Sequence, residues 1–313
     1  MLKPIKPGAT IAVIAPAFPP DPRKTENGIR YLESLGYSVV RGESLGAKYG
    51  YFAGSDALRV RELNQFFADP QVDAIFCARG GWGTLRLLDK LDYAQIARTP
   101  KLLVGYSDIT TLQLAIWHKT GVPSFSGPMV AVEMGSEIVP FTEQHFWGQI
   151  QNDEETYAFR FDSSEVQVWR EGEAGGILIG GCLSMVAHQL GTPFMPSAKD
   201  AILFLEDVGE EPYKIDRYLA QLYQAGIFNE IRGLILGEFL DCEDTNEARR
   251  SVRVEDVLKE YFGQVDFPVI YNFPYGHGMR KFTMPIGVPV RLNTAKQQLI
   301  IQNPFEITKR SFV

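Results

Sequence analysis

The chain has 313 residues, 45% of them hydrophobic and 22% charged, and carries a net charge of −7. That length accommodates two domains, each with its own core, and no stretch approaches the ~18 consecutive apolar residues of a membrane span. The acidic balance, with Lys and Arg forming no extended block, argues against a nucleic-acid partner.

Cys77, Cys182 and Cys242 are widely separated and show no C-x-x-C spacing, so they point to neither a disulfide framework nor a zinc site. The first apolar run, TIAVIAPAF at 10–18, has no basic segment before it and no small-residue cleavage site after it. It reads as a first strand, and a cytoplasmic location is expected. From there to about residue 129 short apolar runs alternate with helical-period segments: YSVV, SDALRVRELNQFFAD, VDAIFCA, TLRLLDKL, KLLVGY, ITTLQLAIWHKTG and VPSFS. That alternation predicts a parallel sheet covered on both faces. Ser55 is the expected N-cap of the helix over 55–69, with Leu58, Leu63, Phe66 and Phe67 on its apolar face.

Between residues 130 and 173 the pattern loosens into a helix, FTEQHFWGQIQND, and two half-exposed strands, YAFRF and VQVWRE. A domain boundary is expected here, dividing the chain into 1–150 and 151–313. The second part has its own strands, GGILIGG, AILFLEDV, IRGLILGEF, VPVRLN and QQLIIQN, with helices CLSMVAHQLG, YKIDRYLAQLYQAG and VEDVLKEYF between them.

In doubly wound sheets ligands gather at the carboxyl ends of strands, which singles out RGGWGT, YSDIT and EDVGEE. Read locally, Ser107 or Asp108 of YSDIT is a helix cap, a role worth ~1 kcal/mol. A G-x-S-x-G nucleophile elbow would also put Ser on such a turn, but Ile109 stands at its last Gly. RGGWGT is neither a P-loop nor a dinucleotide fingerprint. Its glycines serve equally for a tight turn, an anion cradle or an oxyanion hole.

A serine nucleophile needs a base, and the chain holds four histidines. His118, His145 and His188 fall in helical segments, where packing or surface roles are the default. His277 lies in the Pro- and Gly-rich loop NFPYGHGMR, where reactive groups usually sit. Glu206 and Asp207 close the apolar run AILFL, and strand alternation points them to opposite faces. Either can orient a base, and either can cap a turn. Cys182 follows a strand and precedes a helix, as a thiol nucleophile would, but His188 is six residues on, on a different helix face. It reads better as a small buried hydrophobe. No H-E-x-x-H, Cys pair or Asp-rich loop suggests a metal.

Taken in order, these motifs resemble the LD-carboxypeptidase family of serine peptidases, the muramoyltetrapeptide carboxypeptidases, whose relatives include the microcin C self-immunity peptidases. The likeness rests on FAGSDALRVRELNQFFADPQVDAIFCARGGWGTLRLLDKLD, LLVGYSDITTLQLA, SFSGPM, GTPFMP, ILFLEDVGEEPYKIDRYLAQL and PYGHG, and covers nearly the whole chain. It implies an N-terminal open α/β domain similar to class I glutamine amidotransferases and a C-terminal domain of swivelling β/α type. It also implies Ser107 as nucleophile, Glu206 rather than Asp207 as the orienting carboxylate, and His277 as base. The backbone N–H groups of Gly81 and Asp108 would form the oxyanion hole. No cofactor is implied. The implied reaction removes the terminal D-Ala of murein tetrapeptides, with cleavage of a microcin-type peptidyl adenylate as the alternative and a non-catalytic small-ligand binding protein as a more distant one. A homodimer is likewise implied. Two positions depart from the family's habit: Trp82, where Tyr is more frequent, and Cys182, where Asn is common. Arg79 and Arg280 are the candidates for holding the substrate's terminal carboxylate.

Overall fold

A computed structural model describes residues 2–244, 246 and 252–305. Its first sheet contains β1 (Thr10–Ile14), β2 (Ser38–Arg41), β3 (Ala74–Cys77), β4 (Leu102–Val104) and β5 (Ser124–Ser126), all parallel and in the order β2-β1-β3-β4-β5. The runs AIFC and LLV are buried throughout, as expected of strands covered on both faces. The helices are α1 (Pro22–Ser34), α2 (Asp56–Ala68), α3 (Tyr93–Arg98), α4 (Ile109–Thr120) and α5 (Pro140–Ile150). Ser55 caps α2, its side chain accepting the N–H of Leu58. TLRLLDKL forms a tighter 3-10 segment over Thr84–Lys90, not an α-helix.

The second sheet has eight strands among the described residues. Its parallel centre is β8 (Glu173–Cys182), β9 (Ala201–Val208), β10 (Gly233–Leu240) and β11 (Val269–Tyr271). Antiparallel strands flank it: β6 (Thr156–Arg160) and β7 (Gln167–Arg170) at the two edges, with β13 (Pro289–Asn293) and β14 (Gln298–Gln302) between β6 and β8. Helices α6 (Leu183–Gln189), α7 (Pro212–Gln224), α8 (Ile227–Glu230) and α9 (Val254–Phe262) accompany it. The chain is thus an open doubly wound α/β unit joined to a second β/α unit of the swivelling type.

One strand crosses between them. β12 (Met284–Ile286) comes from the second half of the chain but pairs antiparallel with β5 and forms the edge of the first sheet. It is three residues long and contains Pro285, which an edge strand tolerates and an alternation pattern does not advertise. The helix after Ser107 is the other joint. Every residue of α4 from Ile109 to Ile116 is buried. Ile109, Leu112, Ala115 and Ile116 belong to the first core and Leu114 to the second. This stretch is buried on every side, its polar Thr110, Thr111 and Gln113 included, so the turn that starts α4 sits at the seam of the two units. No helix among the described residues is long and apolar enough to cross a membrane.

Candidate active site

Ser107 stands between β4 and α4 with φ 65°, in the left-handed region that a side chain adopts at a cost of ~1–3 kcal/mol. Within residues 101–110 it is the only residue that is not buried. The cap expected of it, or of Asp108, is absent. The N–H groups of Ile109, Thr110 and Thr111 instead reach the backbone carbonyls of Tyr106, Ser107 and Asp108 at 3.3, 2.9 and 3.3 Å. Asp108 occupies the cap position without a side-chain capping bond. Because the backbone closes the first turn by itself, the Ser107 hydroxyl is left unengaged among the described residues. Strain at a half-buried Ser on a strand-to-helix turn is the geometry of a nucleophile elbow, reached here without its last Gly.

The Asp108 side chain works elsewhere. Fully buried, its Oδ2 accepts the N–H of Thr84 at 3.0 Å, and its backbone carbonyl accepts the Thr84 hydroxyl at 2.6 Å. Burial pushes this carboxyl up, offset in part by the N–H groups of Thr84 and Gly83. Asp108 therefore ties the RGGWGT loop to the Ser107 turn, a role that local sequence did not reveal. Buried Arg59 braces the same loop from α2, donating to the carbonyls of Pro16 and Gly83 at 2.6 and 3.4 Å. Gly80 and Gly81 are needed for this approach. A Cβ on Gly80 would lie 2.9 Å from Ser107 Cβ, and one on Gly81, at φ 126°, 2.4 Å from the Phe18 ring. Neither the Gly81 nor the Asp108 N–H finds an acceptor in the chain among the described residues.

From the second unit, β9 delivers Glu206 with no exposed surface, and its Oε2 lies 2.8 Å from His277 Nδ1. Gly276 admits this contact, since a Cβ there would sit 2.9 Å from Glu206 Oε2. The neighbouring Asp207 faces the other way. Its Oδ2 accepts the N–H of Ser184 in the first turn of α6 at 2.8 Å, and its Oδ1 that of Val208 at 2.9 Å. Burial and the adjacent Glu206 raise it to about 6. One carboxylate thus reaches the imidazole and the other caps a helix, which separates the two readings that the sequence left open.

Ser107 and His277 line one cavity of about 400 Å³, together with Arg79, Gly80, Gly81 and Tyr106. Asp21 and Lys24, from the start of α1, also line it. The cavity lies beyond the carboxyl ends of β1, β3 and β4, where ligands of a 2-1-3-4-5 sheet bind. Of the two arginines proposed for a terminal carboxylate, Arg79 lines the cavity. Arg280 does not; both oxygens of Glu165 hold it at 2.8 Å, over the Phe141 ring. The other histidines lie elsewhere. His145 meets Tyr157 Oη at 2.8 Å amid aromatic rings, and His188 stands edge-on to Trp82 at 5.8 Å. The Cys182 thiol is buried beside Asp207 and raised well above the usual range, which leaves no thiolate to attack.

The fold and this cavity define a class: a two-unit doubly wound α/β protein in which a strand-to-helix serine and an imidazole backed by a buried carboxylate border one cavity. The chain belongs to the LD-carboxypeptidase family, whose N-terminal domain pattern matches residues 11–127 and whose C-terminal domain pattern matches 175–292. It is 37% identical over 301 residues to a probable murein peptide carboxypeptidase of Bacillus subtilis, covering 96% of this chain and 93% of that one. The crystal structure of a muramoyltetrapeptide carboxypeptidase from Oxalobacter formigenes superposes with a TM-score of 0.84 at 31% identity, covering 94% and 99% of the two chains. The microcin C7 self-immunity protein MccF of Escherichia coli is 27% identical, over 95% of this chain and 93% of its own.

Proposed function

We propose that the protein is a serine-type LD-carboxypeptidase that releases the terminal D-Ala from murein tetrapeptides. The observation that carries this reading is the 2.8 Å contact between Glu206 and His277 on the cavity that Ser107 also lines. A carboxylate can only accept, so His277 donates from Nδ1 and leaves Nε2 free to take a proton. His277 removes the Ser107 proton as Oγ attacks the amide carbonyl between the L-centre and D-Ala. The N–H groups of Gly81 and Asp108 receive the developing oxyanion, and Glu206 holds the imidazolium. Collapse of the tetrahedral intermediate breaks the C–N bond as His277 protonates the departing amine. Water, deprotonated by the same imidazole, then releases the acyl group from Ser107.

Residues 1–150 supply the nucleophile and 151–313 the base and its carboxylate in this scheme, and Arg79 is the side chain assigned to the terminal carboxylate. A cytoplasmic site of action and a homodimer belong to the same reading, supported by the family resemblance.

The test is D-Ala release from a purified tetrapeptide, with an aminoacyl adenylate analogue assayed beside it. Wild type is expected to release D-Ala, and both Ser107→Ala and His277→Ala are expected to lose this activity while remaining folded. D-Ala release by folded Ser107→Ala at the wild-type rate refutes the nucleophile. Turnover of the adenylate analogue alone moves the protein to the MccF-type reaction.

A further inference from the structure

Four residues after the proposed base, Lys281 is buried with no exposed surface. An ammonium removed from water is tolerated only where charge and hydrogen bonds compensate it. Here its Nζ donates to the carbonyl of Gly276, the residue immediately before His277. It lies 3.4 Å from Glu133 Oε1 and 3.9 Å from the centre of the Tyr106 ring, within cation–π range. Glu133 is itself fixed, accepting the Tyr106 hydroxyl and the Met129 N–H, each at 2.9 Å. Tyr106 directly precedes Ser107, and its ring stands edge-on to the His277 ring at 5.0 Å.

These contacts close a loop across the two units. Glu133 and Tyr106 come from the side that carries Ser107, and Gly276 and Lys281 flank His277. The same loop is fastened at other points, by Tyr275 Oη to Ser126 Oγ at 2.7 Å and by the Lys281 N–H to Thr142 Oγ1 at 2.8 Å. The Lys281 side chain touches both the peptide that holds the base and the residue next to the nucleophile.

We propose that Lys281 is a positioning residue, whose ammonium, clamped by Glu133 and the Tyr106 ring, holds the peptide bearing His277 in register with the turn bearing Ser107. This rests on the assignment of Ser107 and His277 as nucleophile and base. Lys281 has no exposed surface and is not part of the cavity lining, so its removal acts on the rate at which Ser107 reacts and spares substrate binding.

The test compares wild type, Lys281→Met, Glu133→Gln and the double variant, each first confirmed as folded. The rate of Ser107 modification by a fluorophosphonate is measured, followed by kcat and KM on the tetrapeptide. Met fills the lysine's space, and Glu133 keeps its Tyr106 and Met129 donors. Misplacement of a reacting group by about 1 Å costs roughly 100-fold. Lys281→Met is therefore expected to lower both the labelling rate and kcat by roughly 10- to 100-fold, with KM unchanged. Glu133→Gln is expected to show a smaller loss of the same kind, and the double variant no more than Lys281→Met alone, because the two act as one unit. A purely structural lysine lowers the melting temperature and leaves the labelling rate per folded molecule at the wild-type value, and that result overturns the proposal. If Lys281→Met does not fold, Glu133→Gln decides on the same criterion. A wild-type protein that the fluorophosphonate leaves unmodified at Ser107 overturns the nucleophile assignment and the proposal with it, whereas equal labelling of wild type and variants overturns the role of Lys281 alone.

Discussion

Replacement of Gly80 by Ala tests how tightly the Gly-rich loop is fitted to Ser107. Gly80 does not occupy the left-handed region, so Ala meets no backbone penalty, and the effect is steric. The added Cβ would stand 2.9 Å from Ser107 Cβ, 3.1 Å from Ser107 Oγ and 3.3 Å from the Tyr106 carbonyl. Ordinary carbon contacts begin near 3.4 Å, so the two chains must separate by about half an ångström, with a backbone oxygen blocking the sideways path. Overpacking of this kind costs ~1–3 kcal/mol, of which ~0.4–1 kcal/mol is returned by the lower entropy of the unfolded chain. The displacement falls on Ser107 Oγ and the loop N–H groups together. At roughly 100-fold per ångström of misplacement, kcat should fall about 10-fold or more while KM changes little. Steady-state D-Ala release and thermal melting measure both effects. Gly46→Ala is the control: nothing lies within 4 Å of its Cβ, and stability should move by less than about 0.5 kcal/mol with kcat unchanged. Wild-type turnover by Gly80→Ala would refute the close fit of loop and serine.

Two further predictions concern buried titratable side chains. Asp108→Ala removes the acceptor of the Thr84 N–H. It should cost ~1–3 kcal/mol for the N–H left bare and lower kcat toward the ~100-fold loss of a missing oxyanion donor, read by melting and by turnover. His145 is held at about 4 by burial, with the Arg280 charge adding to it. Its folded value lies below its unfolded one, so the stability it contributes is complete above pH 6.5 and is lost as pH falls through about 4. His145→Gln should therefore show a smaller drop in melting temperature than wild type between pH 6.5 and 4, and equal drops would refute this linkage.

Much of the architecture is legible in the pattern. The alternation of apolar runs with helical segments from 10 to 126 describes the first sheet, and Ser55 caps its helix where the cap was expected. Misreadings arise where tertiary contacts outvote local preference. Ser107 and Asp108 read as caps because both are good acceptors, yet the turn satisfies its own N–H groups, leaving the Ser107 hydroxyl unengaged and the Asp108 carboxyl to hold Thr84. The alternation of Glu206 and Asp207 was plain, but which one faces an imidazole depends on a loop 71 residues later in the chain. β12 was hidden by its brevity and by Pro285. Lys281 gave no local sign of burial, because MRKF looks like a solvated turn until Tyr106 and Glu133 are brought over it. The tie made by the Asp108 side chain was equally hidden, because its partner Thr84 is 24 residues away.

The central claim is that Ser107 Oγ bonds covalently to the acyl group. Rapid acid quench during tetrapeptide turnover, followed by proteolysis and mass spectrometry, tests it most directly. A muropeptide adduct lacking D-Ala is expected on the peptide that contains Ser107, and none in Ser107→Ala. An adduct mapped to another residue, or D-Ala release by Ser107→Ala at the wild-type rate, would contradict it.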